Sequence, residues 1–260
     1  MSSSEAFNEP SVTPLSKTRA RSVRALLRKK ERAATGLFLA EGMQAVSEAM
    51  NYGFVETLIV DDIERFAGDF EGLEVLVGTR QQLAGFSQTV NTQDVFAICR
   101  NPAVGLGAIG QAKLVVICSQ IRDPGNAGTV VRCADAFGAD AVIFTNDSVE
   151  LTNAKTVRAS VGSIFHLPIA VDVEFADAID WAHKRGLNVL AADAGGESIN
   201  SLDLSKPTAW VFSNEAWGLT ADISAQCDAV ASIPMRGKAE SLNLSTAAAV
   251  CLFSSQSAQS

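Results

Sequence analysis

Between Leu114 and Ile233 the chain alternates short apolar runs with longer segments in which apolar residues recur every three or four positions. The runs Leu114–Cys118, Ala141–Phe144, Val189–Ala192, Ala209–Phe212 and Ala229–Ile233 are strand-length and rich in valine, isoleucine and phenylalanine, so they predict buried strands. The intervening periodic segments predict helices at about 127–137, 175–185 and 244–253. Strand–helix alternation sustained over about 150 residues argues for an α/β fold with a mainly parallel sheet covered by helices on both faces. Upstream, residues 17–33 read as one basic amphipathic helix with Val23, Leu26 and Leu27 inward. Phe38–Ala40 predicts a short strand, and a helix over 41–52 ends at Gly53, a common C-terminal stop. Further short strands are expected at 57–60, 75–77 and 95–98. The pattern therefore predicts frayed residues 1–16, a small α/β module over 17–100, a linker over 101–111 and a larger α/β module over 112–260.

Composition narrows the class. With 47% hydrophobic and 19% charged residues in 260, the chain can bury substantial cores. The first residues lack a basic segment followed by an apolar one, and no apolar run approaches the roughly 18 residues of a membrane span, so a cytoplasmic protein with no membrane partner is expected. The five scattered cysteines lack zinc spacing and read as thiols in a reducing compartment. Two isolated histidines suggest no metal site. The net charge of −8 is unevenly spread: residues 1–35 carry +5, leaving −13 for the remainder. A basic block on an acidic body can draw phosphate to one face, which makes Lys17, Arg21, Arg24, Arg28, Lys29 and Lys30 candidates for contacting a nucleic-acid backbone. The alternative is a solvated basic helix with no ligand.

The predicted linker contains Gly105-x-Gly107-x-x-Gly110, the spacing of a dinucleotide-binding loop. That loop must follow a strand and open a helix, whereas here it precedes a strand, so nicotinamide binding is not expected. In parallel sheets ligands bind beyond the carboxyl ends of strands, and three loops at such ends are unusual. Ile121-Arg-Asp-Pro-Gly-Asn126 leads from the first strand into a helix carrying Arg132 about two turns in, where a cation gains nothing from the helix dipole. Phe212-Ser-Asn-Glu-Ala-Trp-Gly218 sets a carboxylate beside an amide at a strand end. The third, Ile233-Pro-Met-Arg-Gly-Lys-Ala-Glu-Ser-Leu-Asn243, enters an Ala-rich helix with more hydrogen-bonding groups than one cap requires. Such a surplus beside free backbone amides makes a socket for a polar ligand. A fourth segment, Arg158–His166, places Arg158, Ser160 and Ser163 ahead of an apolar strand.

Together, Asp123-Pro-Gly-Asn-Ala-Gly with Arg132 and Ala136-Phe-Gly138, Ser213-Asn-Glu-Ala-x-Gly218, and Ile233-Pro-Met-x-Gly with Glu240-Ser-Leu-Asn243 closely resemble the three motifs of the SpoU-type RNA 2′-O-ribose methyltransferases of the SPOUT superfamily. Order and spacing agree across residues 112–255. The N-terminal module is similar to that family's substrate-binding domain, a fold like ribosomal protein L30e, through the basic helix and Phe38-Leu-Ala-Glu-Gly42.

The resemblance implies a C-terminal trefoil knot, which topology rules alone disfavour, and a homodimer with active sites at the subunit interface. It implies S-adenosylmethionine as methyl donor, bound by Phe212, Ser213, Asn214, Gly218, Ile233, Met235, Ser241, Leu242 and Asn243. It implies catalytic roles for Asn126, Arg132, Glu215, Ser241 and Asn243, with no metal, on structured RNA that is most readily ribosomal. Alternatives are a tRNA target, or a catalytically weak knotted RNA-binding or ribosome-assembly factor. Because a guanidinium titrates above about 12, Arg132 is expected to clamp phosphate and stabilise developing oxyanion charge rather than act as a base. Many relatives have glycine where this chain has Ser213 and Ala216; both are small, so donor binding is expected to survive.

Overall fold

The computed structural model describes residues 11–65, 72–87, 93–213 and 218–260. The chain separates into two compact units, 1–101 and 102–260. In the first lie β1 (Ser11–Pro14), α1 (Lys17–Ala25), α2 (Lys29–Thr35), β2 (Leu37–Glu41), α3 (Met43–Asn51), β3 (Val55–Val60), β4 (Glu74–Val77), α4 (Arg80–Ala84) and β5 (Val95–Arg100). They form a five-stranded sheet in the order β1-β4-β3-β5-β2. Its β1, β4 and β3 run parallel, and β5 pairs antiparallel with both β3 and β2.

Two expectations about this unit need correction. Residues 11–16 are not frayed: Ser11–Pro14 pairs with Glu74–Val77, Leu15 is buried, and Ser16 caps α1 by accepting from the Arg19 amide at 3.2 Å. Residues 1–10 lie outside the described residues. The basic segment is two helices rather than one. Leu26 turns inward to the core, Arg28 adopts extended backbone, and α2 begins afresh. Arg32, although charged, is buried and donates from Nη1 to the Leu26 carbonyl at 2.9 Å. That bond satisfies one of the carbonyls that the end of α1 leaves without a helical partner. Val23 and Leu26 face the core with Phe86 and Phe96, as the periodicity predicted.

The second unit contains β6 (Ala103–Val104), β7 (Leu114–Ser119), α5 (Pro124–Ala136), β8 (Ala141–Thr145), α6 (Ala154–Ser160), β9 (Ile169–Val173), α7 (Phe175–Lys184), β10 (Asn188–Ser198), β11 (Thr208–Ser213), α8 (Ala221–Ser224), β12 (Ala229–Ser232) and α9 (Leu244–Gln259). Seven strands form one sheet in the order β12-β10-β11-β7-β8-β9-β6, and every pairing in it is parallel. Residues 101–111 are therefore not a free linker, since Ala103–Val104 adds the edge strand beside β9. The glycines of its Gly-x-Gly-x-x-Gly open no helix of the kind a dinucleotide needs; Leu106–Ala108 is a single 3₁₀ turn.

Strand alternation divides the side chains between two layers. Val115, Ile117, Ile143, Val189 and Val211 pack with Ile179, Trp181 and Ala182 of α7. On the other face, buried Trp210 donates from Nε1 to Ser255 Oγ of α9 at 2.8 Å. Helix α5 joins this layer through a close approach to α6. A Cβ on Gly128 would lie 2.3 Å from the Thr156 carbonyl oxygen, so glycine is required for the contact. The segment 158–166 precedes an apolar strand, β9, as expected; Asn153 caps α6 by accepting from the Lys155 amide at 2.9 Å, and Arg158 sits in that helix's last turn. A cation is favoured there by the helix dipole.

Strand β10 runs well past the four residues its apolar run predicted. Its first part pairs with β12 at Leu190–Ala192, and after an irregularity Glu197 and Ser198 pair with Ala231 and Ser232. Between these, a Cβ on Gly196 would lie 2.4 Å from the Val230 carbonyl oxygen. The two backbones thus pass each other at a distance only glycine allows.

Candidate active site

The carboxyl ends of β10, β11 and β12 and the start of α9 enclose a cavity of about 400 Å³. Small-molecule sites typically occupy about 300–1,000 Å³ with mostly apolar walls and a few placed polar groups, and this one fits that description. Phe212, Ile233, Met235, Leu242 and Leu244 supply apolar wall, while Ser213, Ser241 and Asn243 supply polar groups. Eight residues assigned to donor binding from sequence line it: Phe212, Ser213, Gly218, Ile233, Met235, Ser241, Leu242 and Asn243. Asn214 and Glu215 lie outside the described residues, as does Ala216.

Local chemistry explains the shape of the rim. Ser213 donates from its hydroxyl to the Gly218 carbonyl at 3.2 Å, closing the mouth of the 213–218 loop. Gly218 itself adopts a left-handed φ of 62°, a conformation that side-chain-bearing residues rarely hold. On the third loop, Met235 and Leu242 are exposed apolar side chains, 38% and 37% accessible. Exposed apolar residues at a cavity mouth supply a surface for a ligand to cover.

Asn243 joins two distant parts of the chain. Its Oδ1 caps α9 by accepting from the Ser245 amide at 3.0 Å and the Ser245 hydroxyl at 2.6 Å. Its Nδ2 donates to Asn126 Oδ1 at 3.1 Å, across 117 residues of sequence. Asn243 is thus the N-cap of α9, and its amide nitrogen ties that cap to Asn126 at the start of α5. Asn126 is held in turn by the start of α5, where its backbone amide donates to Asp123 Oδ1 at 2.8 Å. Asp123 also accepts from Lys155 Nζ at 3.0 Å. The Asn126 amide chiefly, and then Lys155, hold the Asp123 carboxyl below its ordinary range.

Arg132 lies on α5 six residues beyond Asn126, about 9 Å along the axis. It is exposed, and no salt bridge among the described residues engages it. Ser241 is exposed at the cavity rim. Lys17, Arg21, Arg24, Arg28, Lys29 and Lys30 are exposed in the first unit, with Arg24 Nε donating to the Gly85 carbonyl at 3.3 Å. Arg158, half-buried on α6, belongs to the second unit. No group of three or more metal-ligating side chains occurs among the described residues. No helix among them is long and apolar enough to cross a membrane. The cysteines are free thiols; burial pushes Cys251 up to about 12 and Cys227 to about 11, and Cys99 and Cys118 higher still. Thiols so shifted are poor nucleophiles at neutral pH.

Sequence reasoning missed part of the wall. Ala192, Asp193, Ala194, Leu219 and Ala247 also line the cavity. The signal was present, since Asp193-Ala-Gly-Gly196 follows an apolar run at a strand end, but it reads equally as an ordinary turn.

An all-parallel sheet with a ligand-sized cavity beyond the ends of three strands, lined by Asn243 that bonds Asn126, suits an enzyme site more readily than a purely structural fold. The family profile described as SpoU rRNA Methylase matches residues 113–253, and one described as MRM3-like substrate binding domain matches residues 17–97. The chain belongs to the SpoU rRNA methylase family. It is 32% identical to the 23S rRNA (guanosine(2553)-2′-O)-methyltransferase RlmP of Bacillus subtilis, over 86% of this chain and 90% of that one. An AdoMet-bound rRNA methyltransferase from Sinorhizobium meliloti superposes with a TM-score of 0.84 at 32% identity, covering 95% of this chain and 98% of the other. The SpoU methyltransferase AviRb from Streptomyces viridochromogenes, solved with AdoMet, gives a TM-score of 0.83 at 28% identity, over 93% and 98% of the two chains.

Proposed function

We propose that this protein transfers a methyl group from S-adenosylmethionine to a ribose 2′-hydroxyl of ribosomal RNA. The observation that carries this reading is the cavity at the ends of β10–β12, which gathers eight of the residues that match the family's donor-binding motifs. Relatives of known structure hold AdoMet, and the cavity's volume and mixed lining suit an adenosine joined to a short amino acid. When bound, the donor supplies an electrophilic methyl on a sulfonium. Transfer would break the S–CH₃ bond and form an O–CH₃ bond, with the 2′-hydroxyl proton passing to solvent and the sulfur leaving as a neutral thioether.

The chain's own residues position the reactants. The Asn243–Asn126 bond fixes the floor where ribose meets donor. Arg132, unengaged by any described carboxylate, clamps the RNA phosphate next to the target ribose and stabilises charge developing on the 2′-oxygen. In this reading the family motifs give Glu215 and Ser241 catalytic roles and Asn214 a role in donor binding, and Ser241 lines the cavity. Positioning supplies much of the rate, because the sulfonium needs little further activation.

RNA is drawn in by Lys17, Arg21, Arg24, Arg28, Lys29 and Lys30 on an L30e-like domain over residues 17–100, and by Arg158 on α6. A trefoil knot within 112–260 is supported by the strand order, in which β12 lies beyond β10 although β11 comes between them in sequence, and by the Gly196–Val230 crossing. A homodimer with active sites at its interface is supported by Phe253 of α9, which remains 56% exposed while stacking edge-on with Phe137 at 5.9 Å. Action on ribosomal RNA supports a cytoplasmic location. The test is isothermal calorimetry with S-adenosylmethionine: saturable binding is expected, and no heat at millimolar donor overturns the proposal.

A further inference from the structure

Among the described residues, one charged side chain lines the cavity: Asp193, on the extension of β10. Its carboxylate is held by two backbone amides. Oδ1 accepts from Gly195 at 3.1 Å, and Oδ2 accepts from Leu219 at 3.3 Å, just past the 213–218 loop. A Cβ on Gly218 would lie 3.6 Å from Oδ2, so the carboxylate sits directly against the loop's end. No lysine or arginine pairs with it among the described residues. A carboxylate only accepts, and one amide apiece leaves each oxygen able to accept again. A half-buried acceptor of this strength calls for donors from a ligand.

Two other features orient that ligand. The apolar wall of Phe212, Ile233 and Leu244 suits a purine face, and Asn243, bonded to Asn126, marks the reacting end. In S-adenosylmethionine the group between purine and sulfonium is the ribose, whose vicinal hydroxyls are paired donors. We propose that Asp193 accepts hydrogen bonds from the ribose diol of the methyl donor, fixing the donor's depth in the cavity and selecting ribonucleosides over deoxyribonucleosides. This rests on the methyl-donor reading above.

The experiment is a ligand–variant cycle read by calorimetry with S-adenosylhomocysteine and its 2′,3′-dideoxy counterpart, which carry the same charge. The wild-type protein is expected to bind the dideoxy compound at least about 10-fold more weakly, the size of a lost charge-assisted hydrogen bond. In Asp193→Ala that ratio is expected to collapse towards one, whereas a merely structural Asp193 leaves it unchanged. Asp193→Asn, which keeps one carbonyl oxygen and the side chain's shape, is expected to show a partial collapse and guards against an alanine variant that misfolds. A ratio undiminished in both variants overturns the role of Asp193 alone. Failure of the wild-type protein to bind either compound overturns the donor reading with it.

Discussion

A single side-chain amide, that of Asn243, caps α9 with its oxygen and reaches Asn126 with its nitrogen. The two functions separate by substitution. Asn243→Asp keeps the cap, since an aspartate accepts as well as an asparagine, but removes the donor towards Asn126. It is expected to leave the melting temperature nearly unchanged and to lower methyl transfer at least about 10-fold. Asn243→Ala loses the cap as well, at about 1 kcal/mol of stability. Comparing thermal melts with initial rates checks both; equal losses of rate and stability in the aspartate variant contradict the division. Arg132→Ala is expected to abolish methyl transfer while donor affinity, measured by calorimetry, stays within about threefold, because its charge acts on RNA rather than on the donor. At the start of α5, Asp123 has its carboxyl held below its ordinary value of 3.8, by the Asn126 amide first and Lys155 second. A depressed carboxyl contributes stability above its unfolded value, and that contribution is lost as pH falls through the folded one. The stability difference between wild type and Asp123→Ala in urea is therefore expected to shrink below about pH 4; a difference constant down to pH 2 contradicts it.

Elements were legible where one physical signal dominated and obscure where two competed. The five apolar runs of the second unit all became strands because fully buried parallel strands leave no room for polar alternation. Helix α6 escaped notice because its seven residues are too few to show a period, and its only overt mark is the Asn153 cap. The break between α1 and α2 was hidden because the basic pattern continues across it; buried Arg32 reaching back to Leu26 reveals it only in three dimensions. The outer half of β10 is polar and glycine-rich, the composition of a turn, yet it pairs with β12, where the Ser232 hydroxyl also donates to the Gly196 carbonyl at 2.8 Å. Asp193 went unassigned for the same reason. At this scale Gly128→Ala is expected to destabilise the fold by about 1–3 kcal/mol through overpacking of α5 on α6, seen as a lower denaturation midpoint in urea. A midpoint unchanged within error contradicts the contact. Removing Arg28, Lys29 and Lys30 together is expected to weaken RNA binding and flatten its dependence on salt. An unaltered slope places the RNA contact elsewhere.

The molecule as a whole combines an acidic body with a basic first segment, and a ligand-sized cavity at the ends of β10–β12 with an exposed Arg132 that no described carboxylate engages. In the proposed reading, a chain of net charge −8 attracts a polyanion locally, through the basic residues of α1 and α2. If two copies share their sites, Phe253→Glu is expected to yield a monomer by light scattering with its methyl transfer lost; a dimer of unchanged mass contradicts the interface. The most direct measurement supplies methyl-labelled S-adenosylmethionine and ribosomal RNA from a strain lacking this protein, then hydrolyses the product in alkali. A 2′-O-methyl ribose cannot cyclise onto its phosphate, so label is expected in alkali-resistant dinucleotides, at one position, and absent with Arg132→Ala. Label released on mononucleotides, or no incorporation at all, contradicts ribose methylation.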